Sequence, residues 1–184
     1  MDALNASAPA PIRPLRADDD LHALTALLHK AYAALAAQGW NFTAADQSVD
    51  VTAKRVAAGG CLVAQQDGRL VGTVNVRGPY RPEQDAWCLN TPWYLREDTA
   101  ILSQFAVDPD CQGQGLGERL MDAAEAWAAE RGFAHMALDT ASPAQHLRQR
   151  YLKRGYQQVG EVQWEGKSYS SVLMVKPLRT KEIV

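Results

Sequence analysis

Three glycines at alternate positions, Gly113, Gly115 and Gly117, stand between a strand-like run that ends at Val107-Asp108-Pro109 and a run with helical apolar spacing. Glycine has no Cβ, so the backbone there can approach a ligand closely and turn several N–H groups toward one point. A helix opening at Leu116 adds its own unpaired amides and the positive end of its dipole. The chemistry this predicts is the holding of a phosphate. Two common glycine patterns do not fit. Glu118 and Arg119 follow the last glycine where a nucleoside triphosphatase needs Lys-Ser or Lys-Thr. Counted from Gly113 and Gly115, the third glycine of a dinucleotide fingerprint falls on Glu118, and Asp139, placed to mimic a ribose acid, does not restore the pattern.

The pattern that does fit is Gln112-Gly-Gln-Gly115-Leu-Gly117, and downstream comes Tyr151-Leu-Lys-Arg-Gly155-Tyr156. In this order the two segments resemble the GNAT superfamily of N-acetyltransferases, specifically from Thr99 to Tyr156. The resemblance implies acetyl-CoA as cofactor and acetyl transfer to a primary amine, a small molecule or amino-acid-like acceptor, by direct attack in a ternary complex. It implies that the backbone of Phe105, Ala106 and Val107 pairs with the pantetheine arm. The amides of Gln112, Gly113, Gln114, Gly115, Leu116 and Gly117 would then hold the pyrophosphate.

By the same resemblance Tyr151 is the general acid that protonates the departing thiolate; the alternative is a packing ring with a polar handle. Arg154 either neutralises phosphate at the adenosine end or simply favours the negative end of a helix dipole. The chain departs from the family at Ala144, where an Asn is frequent, and at Ser103, where many members carry Glu. A base must still accept the proton of the attacking amine. Ser103 and Gln104 are placed to order a water for it. Glu97, Asp98, Asp139 and His146 are neighbouring titratable groups whose position permits that role, the favoured reading of each being a solvated surface residue. The missing Glu and Asn leave open a second reading, a non-catalytic acyl-CoA sensor. Cys111, beside the loop, has no activating neighbour, and His22, His29 and His135 belong to no nucleophilic motif.

The chain has 184 residues, 47% hydrophobic and 22% charged, with a formal charge of -2. That suits one soluble globular unit, and the absence of a basic excess argues against nucleic acid. Cys61, Cys88 and Cys111 lack metal-ligand spacing and are an odd number for a disulfide framework. No stretch is apolar enough to span a bilayer. The expectation is a cytoplasmic monomer or homodimer, with residues 1–10 a disordered leader, 11–178 one domain and 179–184 a tail.

The elements that must position the loop follow from periodicity. Ile12 to Arg16 alternates as an opening strand; Asp18 to Asp20 can cap a helix carrying Leu21, Leu24, Leu28 and Leu35, which Gly39 stops. Ser48 to Ala58 is a second helix. Cys61 to Gln65 and Leu70 to Arg77 form a hairpin about Asp67-Gly68. Gly78 to Asp98 reads as a long loop whose aromatic residues either make a satellite core or wall a substrate pocket. With the first helices, this loop is where the acceptor site is expected. Thr99 to Val107 is a central strand, Leu116 to about Gly132 a helix, and Phe133 to Leu138 a strand. Pro143 opens a last helix that Gly155 stops. Val159 to Trp164 and Ser168 to Val175 are final strands around Glu165-Gly166-Lys167. The fold expected is α/β: a mixed, mostly antiparallel sheet of six to seven strands with helices on both faces.

Overall fold

Asp67 and Gly68 both adopt positive φ, 49° and 75°, the combination that lets a two-residue turn match the twist of the strands it joins. In this computed structural model, which describes residues 9–178, that turn joins β2 (Gly60–Gln66) to β3 (Arg69–Arg77). The sheet has seven strands in the order β1-β2-β3-β4-β5-β7-β6, where β1 is Ile12–Pro14, β4 Thr99–Val107, β5 His135–Ala141, β6 Gln157–Val162 and β7 Ser171–Pro177. Every pairing is antiparallel except β4 with β5. Helix α1 (Leu21–Ala36) starts at Asp20, whose carboxylate accepts the His22 amide at 2.8 Å, and α2 (Val49–Ala57) starts at Ser48.

Side-chain alternation along the strands sorts the core between two faces. Leu62, Ala64, Val74, Leu102 and Leu138 pack beneath α4 (Leu116–Glu130) and α5 (Gln145–Lys153). On the other face Cys61 and Val63 meet Leu24 of α1, and Ile101, Ala137 and Leu173 lie under the segment between β3 and β4. Helices therefore cover both faces.

Three boundaries differ from the periodicity reading. Residues 78–98 contain two short helical pieces, at Ala86–Cys88 and at α3 (Pro92–Leu95), the second begun by a proline at its first turn. Pro143 precedes α5 rather than opening it, because Ala144 takes φ -78° and ψ 69°, outside the helical well. The β6–β7 connection runs well past Glu165-Gly166-Lys167. It is held against the α1–α2 connection, where the Asn41 side chain donates to the Gly166 carbonyl at 2.8 Å and accepts the Ser168 amide at 2.8 Å. The residues expected as leader and tail lie, apart from Pro9 and Ala10, outside the described ones. Ala10 is buried, and its carbonyl accepts a hydrogen bond from Arg119 at 2.6 Å.

One irregularity organises the centre. β4 and β5 pair only from Thr99↔His135 to Ile101↔Ala137 and then part. Against β3 the register of β4 slips between Asn75↔Ser103 and Thr73↔Ala106, and Gln104 there has φ 50°. This is a bulge, which bends its strand. Beyond Ile101, the edge of β4 that faced β5 opens into a split.

Candidate active site

The split is the floor of a cleft of about 850 Å3, within the range of small-molecule sites. At one end lies the glycine loop. Gly113 and Gly115 have φ of 79° and 74° with open space where a Cβ would stand; a side chain there would be opposed by backbone strain rather than by crowding. Gly117 is different, since a Cβ would lie 3.3 Å from the Phe105 ring. Between Gly113 and Glu118 no amide donates to a protein acceptor among the described residues. Asp108, buried, fixes the loop's entry by accepting the Asp110 amide at 3.0 Å and the Lys30 ammonium of α1 at 2.7 Å. Free amides ahead of a helix of fifteen residues form an anion cradle, and they fit a pyrophosphate.

Of the residues expected at the cofactor, the structure brings Phe105, Ala106, Val107, Gln112, Gly113, Gly115, Leu116, Gly117 and Tyr151 to the cleft. Gln114 is exposed outside the lining, so only its backbone can serve the cradle. Past Ile101, β4 keeps β3 on one edge but has no pairing with β5 on the other, which leaves an edge that an added extended chain could use. The Phe105 carbonyl already accepts the Tyr32 hydroxyl at 3.0 Å, and the Val107 carbonyl has a long contact to the Gln112 side chain at 3.5 Å.

Tyr151 comes from α5 with its ring edge-on to Tyr156, 5.8 Å between centroids. It is buried, and burial pushes its hydroxyl above the ordinary tyrosine range, with Tyr32 adding to the shift. The group therefore stays protonated, as a proton donor must.

Arg154 is a correction. It does not line the cleft; its guanidinium is bound to Glu118 at 2.5 Å, Asp122 at 2.8 Å and Glu125 at 3.2 Å, three acids on one face of α4. The short helix ends with Arg154 turned toward that acidic ladder, so the residue clamps α5 to α4 instead of meeting phosphate. Arg150, one turn earlier, is the α5 arginine on the cleft wall.

Among the four titratable neighbours, only Asp139 reaches the cleft. Glu97 is bound to Arg81, and Asp98 to Arg96, whose hydrogen bond holds its carboxyl well below the usual range; His146 is exposed. Gln104 lines the cleft as well, with its side chain engaged in a buried chain: it accepts from Asn75 at 3.0 Å and donates to Gln47 at 3.1 Å. Ser103 lines the cleft. By register and alternation Ser103, Ile101 and Asp139 belong to the same face of the sheet.

Asp139 accepts the Tyr94 hydroxyl at 2.6 Å and the Trp164 indole N–H at 2.9 Å, one on each oxygen. The aromatic loop both packs as a satellite core and lines the cleft. Tyr80 and Tyr94 pack on Ile101, Ala137 and Leu173 while also lining the cleft with Trp87. Trp93 instead faces His135 and Arg96. Sequence reasoning missed Trp164, Tyr32, Arg55, Arg77 and Lys167 on the cleft wall. Each lies on an element that periodicity describes only as a surface helix, a strand end or a turn, so no local signal marks it.

The comparisons with known proteins follow this geometry. Residues 21–156 match the Acetyltransferase (GNAT) family. The chain is 29% identical over 171 residues to an S-(2-succino)cysteine N-acetyltransferase of Bacillus subtilis (strain 168), covering 90% of this chain and 94% of that protein. Its fold superposes on the ribosomal-protein-S18-alanine N-acetyltransferase of Escherichia coli with a TM-score of 0.68 at 19% identity, over 95% of this chain and 97% of that one. A GNAT family acetyltransferase from Elizabethkingia anophelis with acetyl-CoA bound gives 0.64 at 15% identity, over 92% and 99%. No described helix is long and apolar enough to cross a membrane. A family match across most of the chain, on a sheet that splits beside an anion cradle, means that the chain belongs to the GNAT family of acetyltransferases and is an N-acetyltransferase.

Proposed function

We propose that the protein acetylates the primary amine of a small, amino-acid-like acceptor, taking the acetyl group from acetyl-CoA by direct attack. The observation that carries this reading is the pairing, in one cleft, of unpartnered amides from Gly113 to Glu118 with the carboxylate of Asp139 on the other side of the split. The relative that acts on S-(2-succino)cysteine supports an amino-acid-like acceptor. Acetyl-CoA supplies an activated thioester, its pyrophosphate held by the loop amides and its pantetheine arm by the free edge of β4. Asp139, its two oxygens fixed in place by hydrogen bonds from Tyr94 and Trp164, holds the incoming ammonium. Once the nitrogen has lost its proton through Asp139 or a water on Ser103, its lone pair attacks the carbonyl carbon. Tyr151 gives its proton to the departing sulfur.

The test is thiol release from acetyl-CoA across a panel of amino acids and simple amines, with wild type and Tyr151→Phe. At least one amino acid should stimulate release, and Tyr151→Phe should lower kcat by about 100-fold, the low end of general-acid contributions, without weakening acetyl-CoA binding. Tight CoA binding with no stimulation by any amine would instead mark a sensor.

A further inference from the structure

Among the described residues, the acceptor end of the cleft carries cations without counter-ions. Arg55 in the last turn of α2, Arg77 at the end of β3 and Lys167 between β6 and β7 all line it and are half-buried. Neutral groups hold each of them. Arg55 donates to the Gln47 side-chain oxygen at 3.1 Å. Arg77 donates to the Gly78 carbonyl at 3.2 Å, its guanidinium 3.9 Å above the centre of the Tyr80 ring. Lys167 donates to the Asn41 carbonyl at 2.7 Å and the Thr43 hydroxyl at 2.9 Å. The carboxylates on the same wall are Asp139 and Glu165, and neither makes an ion pair with the three cations. Elsewhere Arg13, Lys30, Arg96, Arg154 and Lys176 are each paired with a carboxylate within 2.8 Å.

Arg55 is also the best positioned of the three. Its partner Gln47 is buried, accepts from Gln104 at 3.1 Å and donates to Thr52 at 2.7 Å, so the guanidinium is tied to the β4 bulge itself. Withdrawing positive groups from water without an opposite charge is costly, and an arriving anion reverses that cost. Burial holds the Lys167 ammonium below the ordinary lysine range; nearby Asp46 opposes the shift and Arg55 adds to it.

Two anions are available, the cofactor's phosphates and the acceptor's own acids. Position separates them. Arg77 is paired with Ile101, whereas the phosphate cradle follows Val107 at the far end of β4, roughly 20 Å away at the rise of an extended strand.

Resting on the amine-acetylation reading above, we propose that the acceptor is an acidic amino acid, gripped through its side-chain carboxylate by Arg55 and Arg77 with Lys167 beside them, while Asp139 takes its ammonium. Arginine suits this role because its planar fork binds a carboxylate through two parallel hydrogen bonds.

The experiment compares acceptors that differ only in charge, glutamate with glutamine and S-carboxymethylcysteine with its side-chain amide, in wild type, Arg55→Gln, Arg77→Gln and the corresponding lysine variants. The acids should be preferred in kcat/KM by about 10- to 100-fold, the range for hydrogen bonds to charged groups. Each glutamine variant should raise KM for the acids by a similar factor and leave the amides unchanged, with lysine restoring part of the loss. The acetyl-CoA Kd should stay within about twofold, which also reports that the variants fold.

Equal use of acids and amides, unaltered by the variants, overturns the proposal while amine acetylation stands. An acetyl-CoA Kd weakened about tenfold in both glutamine variants overturns it too, because the cations then serve the cofactor. If no amine is acetylated, the transfer reading falls, and calorimetry on the CoA-loaded protein decides the anion site. Acid binding lost in Arg55→Gln upholds it, and equal binding of acid and amide overturns it.

Discussion

Burial keeps the Tyr151 hydroxyl in the protonated form that its proposed role as proton donor needs. Its hydroxyl is shifted upward mainly by desolvation, so the protonated form persists across the working pH range. The rate should therefore rise with pH only as the acceptor ammonium deprotonates, without a falling limb from Tyr151 below about pH 10, the ordinary tyrosine value; a pH profile of kcat checks this. Gly115 supports a second prediction at the same scale. Its φ of 74° favours glycine, while open space surrounds the missing Cβ. Gly115→Ala should cost about 1 kcal/mol of stability, read by urea unfolding, and should weaken acetyl-CoA binding more than it weakens the fold.

At the scale of elements, two ion clusters fasten helices to the sheet. Arg154, with a side chain only 12% exposed, serves Glu118, Asp122 and Glu125, and Glu125 also receives Lys176 at 2.6 Å. Arg154→Ala strips the clamp from three carboxylates and should destabilise by about 1–3 kcal/mol, seen as a lower Tm. Its acetyl-CoA KM should stay within about twofold of wild type, the opposite of what a phosphate ligand would give. Arg13 and Asp19 join β1 to the turn before α1 through two contacts of 2.7 Å. The guanidinium beside Asp19 holds its carboxyl down to about 2, against desolvation. A depressed folded-state pKa contributes stability that is complete above the unfolded value near 4 and is lost as pH falls toward 2. The unfolding free energy from urea titrations should accordingly drop through that window by about 1–2 kcal/mol more in wild type than in Asp19→Asn.

The whole molecule explains why some residues were legible and others not. Local rules located the Asp67-Gly68 turn, a helix cap within Asp18 to Asp20, β4 and the start of α4 at Leu116, because each depends on neighbours in the chain. The glycine loop was legible for the same reason, its amides and its helix being contiguous. The role of Arg154 stayed open in the sequence because its partners lie 29 to 36 residues away on α4. Asp139 could not be told from a surface acid until Tyr94 and Trp164 were brought to its two oxygens from separate segments.

The glycine loop, the tyrosine of α5 and the alternation of strands and helices are written in the sequence, since short-range sterics and periodicity suffice to specify them. The split between β4 and β5, the bulge at Gln104 and the gathering of Arg55, Arg77 and Lys167 about one cleft were decided only by tertiary structure. They arise where strands from distant parts of the chain pair for three residues and then part, and no local preference encodes where a pairing ends.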